Sequence, residues 1–182
     1  MPIEAIRPAS AADNPFSEIK ISGYTVLIDA TDLPFLDGRT WHVSSVNGGK
    51  KYVMGALPNR GHGWRRVGAP EYLHHILTGW SYVDHRNGNG LDNRRANLRP
   101  ATQQQNTYNR GPVPSRTSGP YKGVYLRRHL GTYYAQIQAE GVCYNGPSSP
   151  SAEVCARWYD MMARKLHGEF AYQNFPEDET SK

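Results

Sequence analysis

The sequence predicts an α+β fold: a small N-terminal antiparallel sheet, a ββα core, and a C-terminal three-stranded antiparallel sheet packed on one helix. Short runs that alternate apolar and polar residues, broken by Gly, Asn and Asp, occupy residues 18–70. A strand, a turn-rich loop, a second strand and a helix follow within residues 71–110. Residues 121–176 contain three further strand-like runs and then one amphipathic helix. These patterns divide the chain into three structural parts.

The N-terminal part, residues 1–70, is a β-rich segment whose role the sequence leaves open. Its strand candidates are Tyr24–Ile28, Thr40–Val43 and Lys51–Met54. The stretch Asn47–Gly49 separates the last two runs and is typical of a turn. The spacing favours a small antiparallel sheet.

Residues 71–110 form the predicted core. Glu71–Leu77 indicate a short helix that leads into this core. Thr102 is positioned as the N-cap of a second helix, which ends the core. The first strand, the loop, the second strand and the final helix are Tyr82-Val83, Asn87–Gly90, Leu98-Arg99 and Gln103–Asn109. In this arrangement Asp84 and Asn106 face each other, and His85 points the other way.

The C-terminal part, residues 121–176, is predicted to follow a basic linker, residues 111–120, and to precede an acidic tail, residues 177–182. Ser149 is the predicted N-cap of its helix, with Pro150 at the first helical position. The strand candidates are Lys122–Leu126, Thr132–Gln138 and Gly141–Tyr144. Apolar residues at helical spacing form one stripe, consisting of Ala152, Cys155, Ala156, Tyr159, Ala163 and Leu166.

The predicted core brings together side chains that could cut a nucleic-acid backbone. Asp84 offers a carboxylate and Asn106 an amide oxygen, and both are ligands that a hard divalent cation accepts. This donor pair suits Mg²⁺ or Mn²⁺ better than zinc. His85 offers an imidazole as the general base for a water nucleophile. His74, in the helix before the first strand, either packs behind this site or contacts phosphate.

Arginines surround the same region. Residues 72–120 carry six of them against only two acidic residues, Asp84 and Asp92. Guanidinium groups bind phosphate in a planar, bidentate way, so we expect them to contact DNA. They are Arg86, Arg94, Arg95, Arg99, Arg110 and Arg116. The Pro/Gly/Ser-rich linker that carries Arg116 either lies along DNA or is a simple tether.

The segment Val-Asp-His-Arg-Asn-Gly-Asn-Gly-Leu-Asp-Asn-Arg-Arg-Ala-Asn-Leu-Arg, residues 83–99, resembles the HNH nucleases. It is most similar to the phage and intron-encoded homing endonucleases of that family. The resemblance implies that Asp84 binds the metal, that His85 is the general base, and that Asn97 holds the loop and the histidine ring. The last position of the motif is asparagine in the homing type, which matches Asn106 as the second metal ligand.

The activity implied by this resemblance is one-metal hydrolysis of DNA. The cation would bridge the scissile phosphate and the leaving 3′ oxygen, and His85 would take the proton from water. The products would carry a 5′-phosphate and a 3′-hydroxyl. Cleavage of one strand or of both stays open, as does a dimer in place of a monomer.

A second resemblance covers residues 119–176. Gly119–Tyr125, Gly131–Ile137, Ala152–Ala163 and Gly168–Pro176 are similar to the DNA-binding domain of plant ethylene-response factors, the APETALA-type domain. The middle departs from that family, because Asn145-Gly146-Pro147-Ser148 replaces its usual turn. The path of the third strand is therefore left open.

In that family the sheet face enters the major groove, and the residues here agree. Residues 121–138 contain no acidic residue, and basic, amide and aromatic side chains interleave along the strands. Such side chains can contact phosphates and base edges. The candidates are Lys122, Tyr125, Arg127, Arg128, Tyr133 and Gln136. The alternative is that the tyrosines cover the helix and the cations are merely solvated.

Composition is consistent with a DNA-binding protein. The net charge is +5, and the mean hydropathy is −0.69, with no run long enough for a membrane helix. The sequence therefore predicts a site-specific homing-type DNA endonuclease that acts on double-stranded DNA in the cytoplasm of a bacterial host and that a phage could encode. The main alternative is a non-catalytic, sequence-specific DNA-binding regulator that keeps the nuclease core only as a scaffold. A structural zinc module is disfavoured because no Cys-rich spacing supports it.

Overall fold

A computed structural model describes residues 5–8, 15–46, 49–56, 70–113 and 119–176. The chain divides into two compact units, Met1–Gln103 and Gln104–Lys182. The predicted α+β class is confirmed, because small antiparallel sheets make up most of the regular structure and a three-stranded sheet packs on a long helix near the C-terminus. None of the helices in the described ranges is both long and apolar enough to cross a membrane.

The first unit contains two three-stranded antiparallel sheets and a two-stranded hairpin. The first sheet consists of β1 (Ala5–Pro8), β2 (Phe16–Ile21) and β3 (Tyr24–Asp29). The second consists of β4 (Thr40–Ser45), β5 (Lys51–Ala56) and β6 (Glu71–Tyr72). The hairpin pairs β7 (Val83–His85) with β8 (Leu98–Pro100). Short 3₁₀ helices span Ala30–Leu36 and Arg95–Asn97.

One hydrophobic core joins both sheets and the helix α1 (Leu73–Thr78). Leu73 and Leu77 stand one helical turn apart and are both buried, as expected of the inner face of a short helix. The core consists of Ile19, Ile21, Val26, Ile28, Leu36, Val53, Leu73 and Leu77. The predicted N-terminal segment and the start of the predicted core are therefore packed as a single body.

Helix α1 begins two residues later than predicted. Glu71 and Tyr72 pair with β5 as a short strand, which keeps them extended until Leu73. The helix ends at Gly79, whose φ of 71° suits glycine and whose N–H donates to the carbonyl oxygen of His75 at 2.7 Å. This stop sets the direction in which the chain runs on to β7.

The second unit is a three-stranded antiparallel sheet with helices. Helix α2 (Gln103–Tyr108) begins at the division between the units, so the predicted core, residues 71–110, extends across that division. Strands β9 (Val124–Arg127), β10 (Thr132–Ala139) and β11 (Val142–Ser149) form the sheet in the order β11-β10-β9. Helix α3 (Ala152–His167) packs on one face of this sheet.

The start of α3 was predicted two residues too early. Strand β11 continues to Ser149, because Ser148 and Ser149 pair with Tyr134 and Tyr133 of β10 beyond a β-bulge. The helix then begins at Ala152, after Ser151 as N-cap. The third strand is accordingly longer than the predicted Gly141–Tyr144.

The segment that departs from the ethylene-response-factor pattern is the middle of β11. Gly146 lies against the indole ring of Trp158, and a Cβ atom at this position would overlap that ring. Small residues on α3, among them Cys155 and Ala156, are fully buried against β9 and β10. The helix and the sheet therefore approach closely along this line.

Candidate active site

The hairpin of β7 and β8 places Asp84 and His85 next to each other in a buried position. Asp84 pairs with Arg99 across the hairpin, and His85 pairs with Leu98. The exposed fractions of Asp84 and His85 are 7% and 5%. Because successive strand residues point to opposite faces, the carboxylate and the imidazole have different surroundings.

Asp84 forms a buried ion pair with Arg99. The Nε and Nη2 atoms of Arg99 lie 2.8 and 2.6 Å from Oδ2 of Asp84. Only 4% of Arg99 is exposed. The sequence predicted that Arg99 contacts phosphate, and that role stays a prediction. The guanidinium would have to bind the phosphate while it remains bonded to the Asp84 carboxylate.

His85 is enclosed by rings and by polar side chains. Its ring centroid lies 4.9 Å from that of His74 and 5.8 Å from that of Tyr52. Burial lowers the pKa of His85, while interactions with Asn93, Asp84 and Asp92 oppose that effect and Lys50 adds to it. The net pKa is lower than the ordinary 6.5, so the imidazole is neutral near pH 7 and can accept a proton.

His74 packs behind His85. It stacks on Tyr72 with ring centroids 5.1 Å apart, and its ring stands edge-on to that of His85. Burial, followed by the neighbouring His85 and His75, lowers the pKa of His74 to about 3. Of the two roles left open for His74, this neutral and buried position favours packing.

The loop between β7 and β8 is held by side-chain amides. Asn97 accepts the N–H of Asn87 on Oδ1 at 3.0 Å, and its Nδ2 donates to the Asp92 carbonyl oxygen at 2.8 Å and to Asn87 Oδ1 at 3.1 Å. The N–H of Arg86 donates to the Asn97 carbonyl oxygen at 2.8 Å. These bonds close the loop directly after His85. The amide found beside the histidine ring is that of Asn93, a residue for which the sequence predicted no site role.

Asp92 is the centre of this loop. It is 1% exposed, and its two oxygens accept bonds of 2.8 and 2.7 Å from Nε and Nη2 of Arg94. Asn87 Nδ2 donates to Oδ2 of Asp92 at 2.8 Å. Arg94 was predicted as a DNA contact, and its guanidinium is engaged in this internal pair.

The first sheet fixes the loop from outside. Leu27 of β3 donates its N–H to the Leu91 carbonyl oxygen at 2.9 Å, and its own carbonyl oxygen accepts the N–H of Asn93 at 2.8 Å. Arg95 binds both oxygens of Asp32 at 2.8 Å, and its N–H donates to Asp29 Oδ2 at 2.8 Å. Arg95, also predicted as a DNA contact, is therefore tied to the N-terminal sheet.

The remaining predicted residues near the core differ in accessibility. Arg86 follows His85 directly and is exposed. Arg110 is exposed in the second unit, and Arg116 lies outside the described residues. Asn106 is a half-buried residue of α2 in the second unit. Its place opposite Asp84 stays a prediction.

On the second unit, the sheet face away from α3 carries aromatic and polar side chains. Tyr125 stacks on Tyr134 with ring centroids 5.3 Å apart, and the guanidinium of Arg127 lies 4.6 Å from the Tyr134 centroid. Gln136 Nε2 donates to Asn145 Oδ1 at 3.1 Å. Arg127 and its neighbour Arg128 are exposed. This face therefore offers the Arg127 cation beside stacked rings and amides.

Two residues predicted for the DNA-reading face lie elsewhere. Tyr133 packs on the core formed by Val124 and Ala135, on the side that α3 covers. The Lys122 ammonium group donates to the carbonyl oxygens of Thr107 and Tyr108. Strand alternation accounts for Tyr133, since odd-numbered residues of β10 point towards the helix.

Within the described ranges, no group of three or more His, Cys, Asp and Glu side chains converges as a metal site would require. A Mg²⁺ ion commonly uses one or two protein carboxylates and keeps several waters. The Asp84 carboxylate together with an amide oxygen fits this preference of Mg²⁺. A site with only one carboxylate does not contain three His, Cys, Asp or Glu side chains.

Comparison with known proteins gives two relatives. The chain is 39% identical over 93 residues to an uncharacterized HNH endonuclease of Acanthamoeba polyphaga mimivirus, and this alignment covers 51% of the chain and 46% of that protein. The chain is 37% identical over 90 residues to protein 3.8 of Escherichia phage T7, and this alignment covers 50% of the chain and 73% of that protein. The chain thus spans about half the length of the mimivirus relative. No family model and no solved structure matches the chain.

The name of the mimivirus relative supports the HNH part of the resemblance. Neither relative's name concerns the ethylene-response-factor domain, and that part stays a prediction.

Low pH should reduce the free energy of unfolding of the first unit, because the Asp92 carboxylate becomes protonated. Burial alone would raise the pKa of Asp92, but the bonds and charge of Arg94 hold it below its usual value. Such a group contributes stability above its unfolded pKa of about 3.9, and this contribution is lost as pH falls through the lower folded pKa. We expect Asp92→Asn to reduce the free energy of unfolding at pH 7 by about 2 kcal/mol and to flatten its decline in acid.

Urea denaturation between pH 7 and strongly acidic conditions measures this effect. Asp37→Asn is the matched control, because Asp37 is exposed in the same unit. An Asp92→Asn protein as stable as the wild type at pH 7 would contradict the role given to Asp92.

Proposed function

The chain belongs to the same family as protein 3.8 of Escherichia phage T7, and from this premise we propose that it is a metal-dependent DNA endonuclease of the HNH type. The observation that carries the proposal is the buried Asp84–His85 pair on a hairpin whose loop Asn97 closes. A metal ligand beside a general base is the arrangement that hydrolysis of a phosphodiester needs. The relative named as an HNH endonuclease supports the same reading.

In this proposal His85 accepts the proton of the attacking water. Its ring is neutral near pH 7 and is oriented by Asn93, His74 and Tyr52, so one orientation is available for that transfer. The loop bonds of Asn97 keep the residues after His85 from moving away. His85 then has the two properties of a general base, a suitable protonation state and a fixed position.

Asp84 and Asn106 are the proposed ligands of Mg²⁺ or Mn²⁺. The chemistry supplied by a bound cation is stabilisation of negative charge on the scissile phosphate and the leaving 3′ oxygen. Arg99 keeps the Asp84 carboxylate in place on the strand, and Arg86, exposed next to His85, is positioned for a phosphate contact. The expected products carry a 5′-phosphate and a 3′-hydroxyl.

The second unit is the proposed DNA-reading part. Arg127 beside the stacked rings of Tyr125 and Tyr134 offers a cation and flat apolar surfaces, and Gln136 offers an amide. These groups can contact phosphates and base edges of double-stranded DNA. We propose site-specific, homing-type cleavage by a monomer in a bacterial host cell, with a non-catalytic DNA-binding regulator as the alternative.

Loss of the general base should stop cleavage without preventing DNA binding. We expect His85→Ala to slow nicking or linearisation of supercoiled plasmid by roughly 10²–10⁴-fold, because water is no longer deprotonated. His42→Ala is the matched control, because His42 is an exposed histidine of β4 in the same unit. Full activity of His85→Ala would remove His85 from the mechanism. A wild type that binds DNA but never cuts it would favour the regulator.

Metal dependence can be tested on the same plasmid. EDTA should silence the wild type, and Mg²⁺ or Mn²⁺ should restore it. Asp84→Asn and Asn106→Ala should each lose metal-stimulated cleavage. Asp84→Asn keeps the size of the side chain and an amide oxygen that can accept from Arg99, but it leaves the buried guanidinium without its counter-charge. Circular dichroism verifies that each variant is folded. Cleavage that persists in EDTA would refute the metal site.

DNA binding by the second unit predicts a specific salt dependence. Arg127→Gln should weaken binding to a duplex that contains the target site and should reduce the slope of log K against log salt by about 1, because one phosphate contact is lost. Arg157→Gln is the control, since Arg157 is exposed on α3, on the other side of the sheet. Equal slopes for Arg127→Gln and the wild type would show that Arg127 on this sheet face does not contact a DNA phosphate.

A further inference from the structure

We propose that Lys122, Tyr108 and His167 form a latch that holds α2, and with it Asn106, on the frame of the second unit. We call these three residues the α2 latch. They are positioning residues, and their catalytic importance rests on the proposed function, in which Asn106 binds the metal. The proposal gives the C-terminal unit a task in catalysis in addition to DNA binding.

Helix α2 needs such support. It is six residues long, and isolated helices shorter than about 12 residues are only marginally stable in water. The last carbonyl groups of a helix also have no partner within it. A ligand held on α2 is therefore placed accurately only if something outside the helix fixes it.

Lys122 meets both needs at the C-terminal end of α2. Its ammonium group donates to the Thr107 carbonyl oxygen at 3.3 Å and to the Tyr108 carbonyl oxygen. A cation at this end also interacts favourably with the helix dipole. The ring of Tyr172 lies 5.4 Å below the ammonium group, and the Tyr172 N–H donates to the Tyr108 carbonyl oxygen at 3.3 Å. The charge that the sequence assigned to DNA is thus directed at the helix.

The backbone of Lys122 is itself fixed. Its N–H donates to Asn174 Oδ1 at 2.7 Å, and Asn174 Nδ2 donates to its carbonyl oxygen at 3.2 Å. Asn174 in turn donates from its N–H and Nδ2 to Asp160 Oδ1 at 2.9 and 3.0 Å. Asp160 is a buried residue of α3. Lys122 is therefore connected through Asn174 to the long helix.

Tyr108 and His167 form the second half of the latch. Their rings stack with centroids 3.6 Å apart and an interplanar angle of 7°. His167 Nε2 lies 3.0 Å from the carbonyl oxygen of Gln138 in β10, which sets the orientation of the imidazole ring. Burial lowers the pKa of His167, with Gln138 opposing and Lys122 adding to this, so the ring is neutral near pH 7 and packs without a charge to solvate.

Asn106 and Tyr108 point to different sides of α2. Residues two apart on a helix are separated by about 200° around its axis. The latch therefore holds the helix by one side and leaves Asn106 on another. A substitution in the latch therefore changes the position of the Asn106 amide oxygen without changing Asn106 itself.

The test compares Lys122→Met with Lys165→Met in the full chain, because Lys165 is an exposed lysine on α3 outside the latch. Hydrogen–deuterium exchange reads out the backbone amides of residues 104–110. In Lys122→Met we expect these amides to exchange roughly tenfold faster, while β10 and the middle of α3 exchange as in the wild type. Unchanged exchange in residues 104–110 would overturn the latch, whether or not the protein is a nuclease.

The catalytic half of the proposal is read from a Mg²⁺ titration of plasmid nicking. Lys122→Met should need a several-fold higher Mg²⁺ concentration for half-maximal rate, while its DNA affinity in EDTA equals that of Lys165→Met. Faster exchange with an unchanged Mg²⁺ requirement would overturn the positioning role. If Lys122→Met binds DNA more weakly while the amides of α2 exchange as in the wild type, Lys122 contacts DNA and the latch is refuted. A wild type that does not cleave refutes the nuclease proposal, and exchange still decides the latch.

A second pair of variants keeps the test decisive if Lys122→Met does not fold. His167→Phe retains a flat ring for Tyr108, and His167→Ala removes it. We expect fast α2 exchange and a raised Mg²⁺ requirement in His167→Ala and a partial return of both towards wild type in His167→Phe. Equal behaviour of the two variants would exclude ring stacking as the cause.

Discussion

Buried polar side chains in the loop between β7 and β8 determine how the first unit can fold. Asp92 and Asn93 are 1% and 0% exposed, and a buried polar group without a partner costs about 1–3 kcal/mol. Arg94 pairs with the Asp92 carboxylate, and Asn93 Nδ2 donates to the Gly90 carbonyl oxygen within the loop. The backbone of β3 bonds to the backbone of Leu91 and Asn93 and so fixes the loop against the first sheet. Asp84 and His85 depend on that loop for their positions.

The surroundings of the two neighbouring site residues give them different chemical characters. Asp84 lies against a buried guanidinium, so a negative charge is accommodated on that side of the strand. His85 lies among the rings of Tyr52 and His74, where a positive charge is disfavoured. One strand therefore carries a carboxylate paired with a guanidinium and a neutral imidazole side by side, and their environments strengthen the chemical difference between the two side chains.

Structure that depends on near neighbours in the chain could be predicted from the sequence. The order of strand, loop, strand and helix in residues 71–110 follows from local patterns. The burial of Asp84 and His85 was not predicted, because it depends on packing against other parts of the unit. The partner of Arg95 could not be predicted, because Asp32 lies 63 residues before it and no periodicity connects them. The contacts of Lys122 were also not predicted. Its ammonium group donates to carbonyl oxygens of α2, 15 and 14 residues earlier in the chain, and its DNA contact stays a prediction.

The contact of β5 with the loop has a consequence for the way in which activity is lost on heating. Gly90 lies so close to the Lys51 carbonyl group and the Tyr52 ring that no Cβ atom could fit, and Tyr52 also faces His85. Tyr52 of the second sheet thus forms one side of the histidine site. We expect melting of that sheet and loss of the aligned imidazole to be one cooperative event. Thermal inactivation of the proposed nuclease should then coincide with unfolding of the first unit and should not precede it.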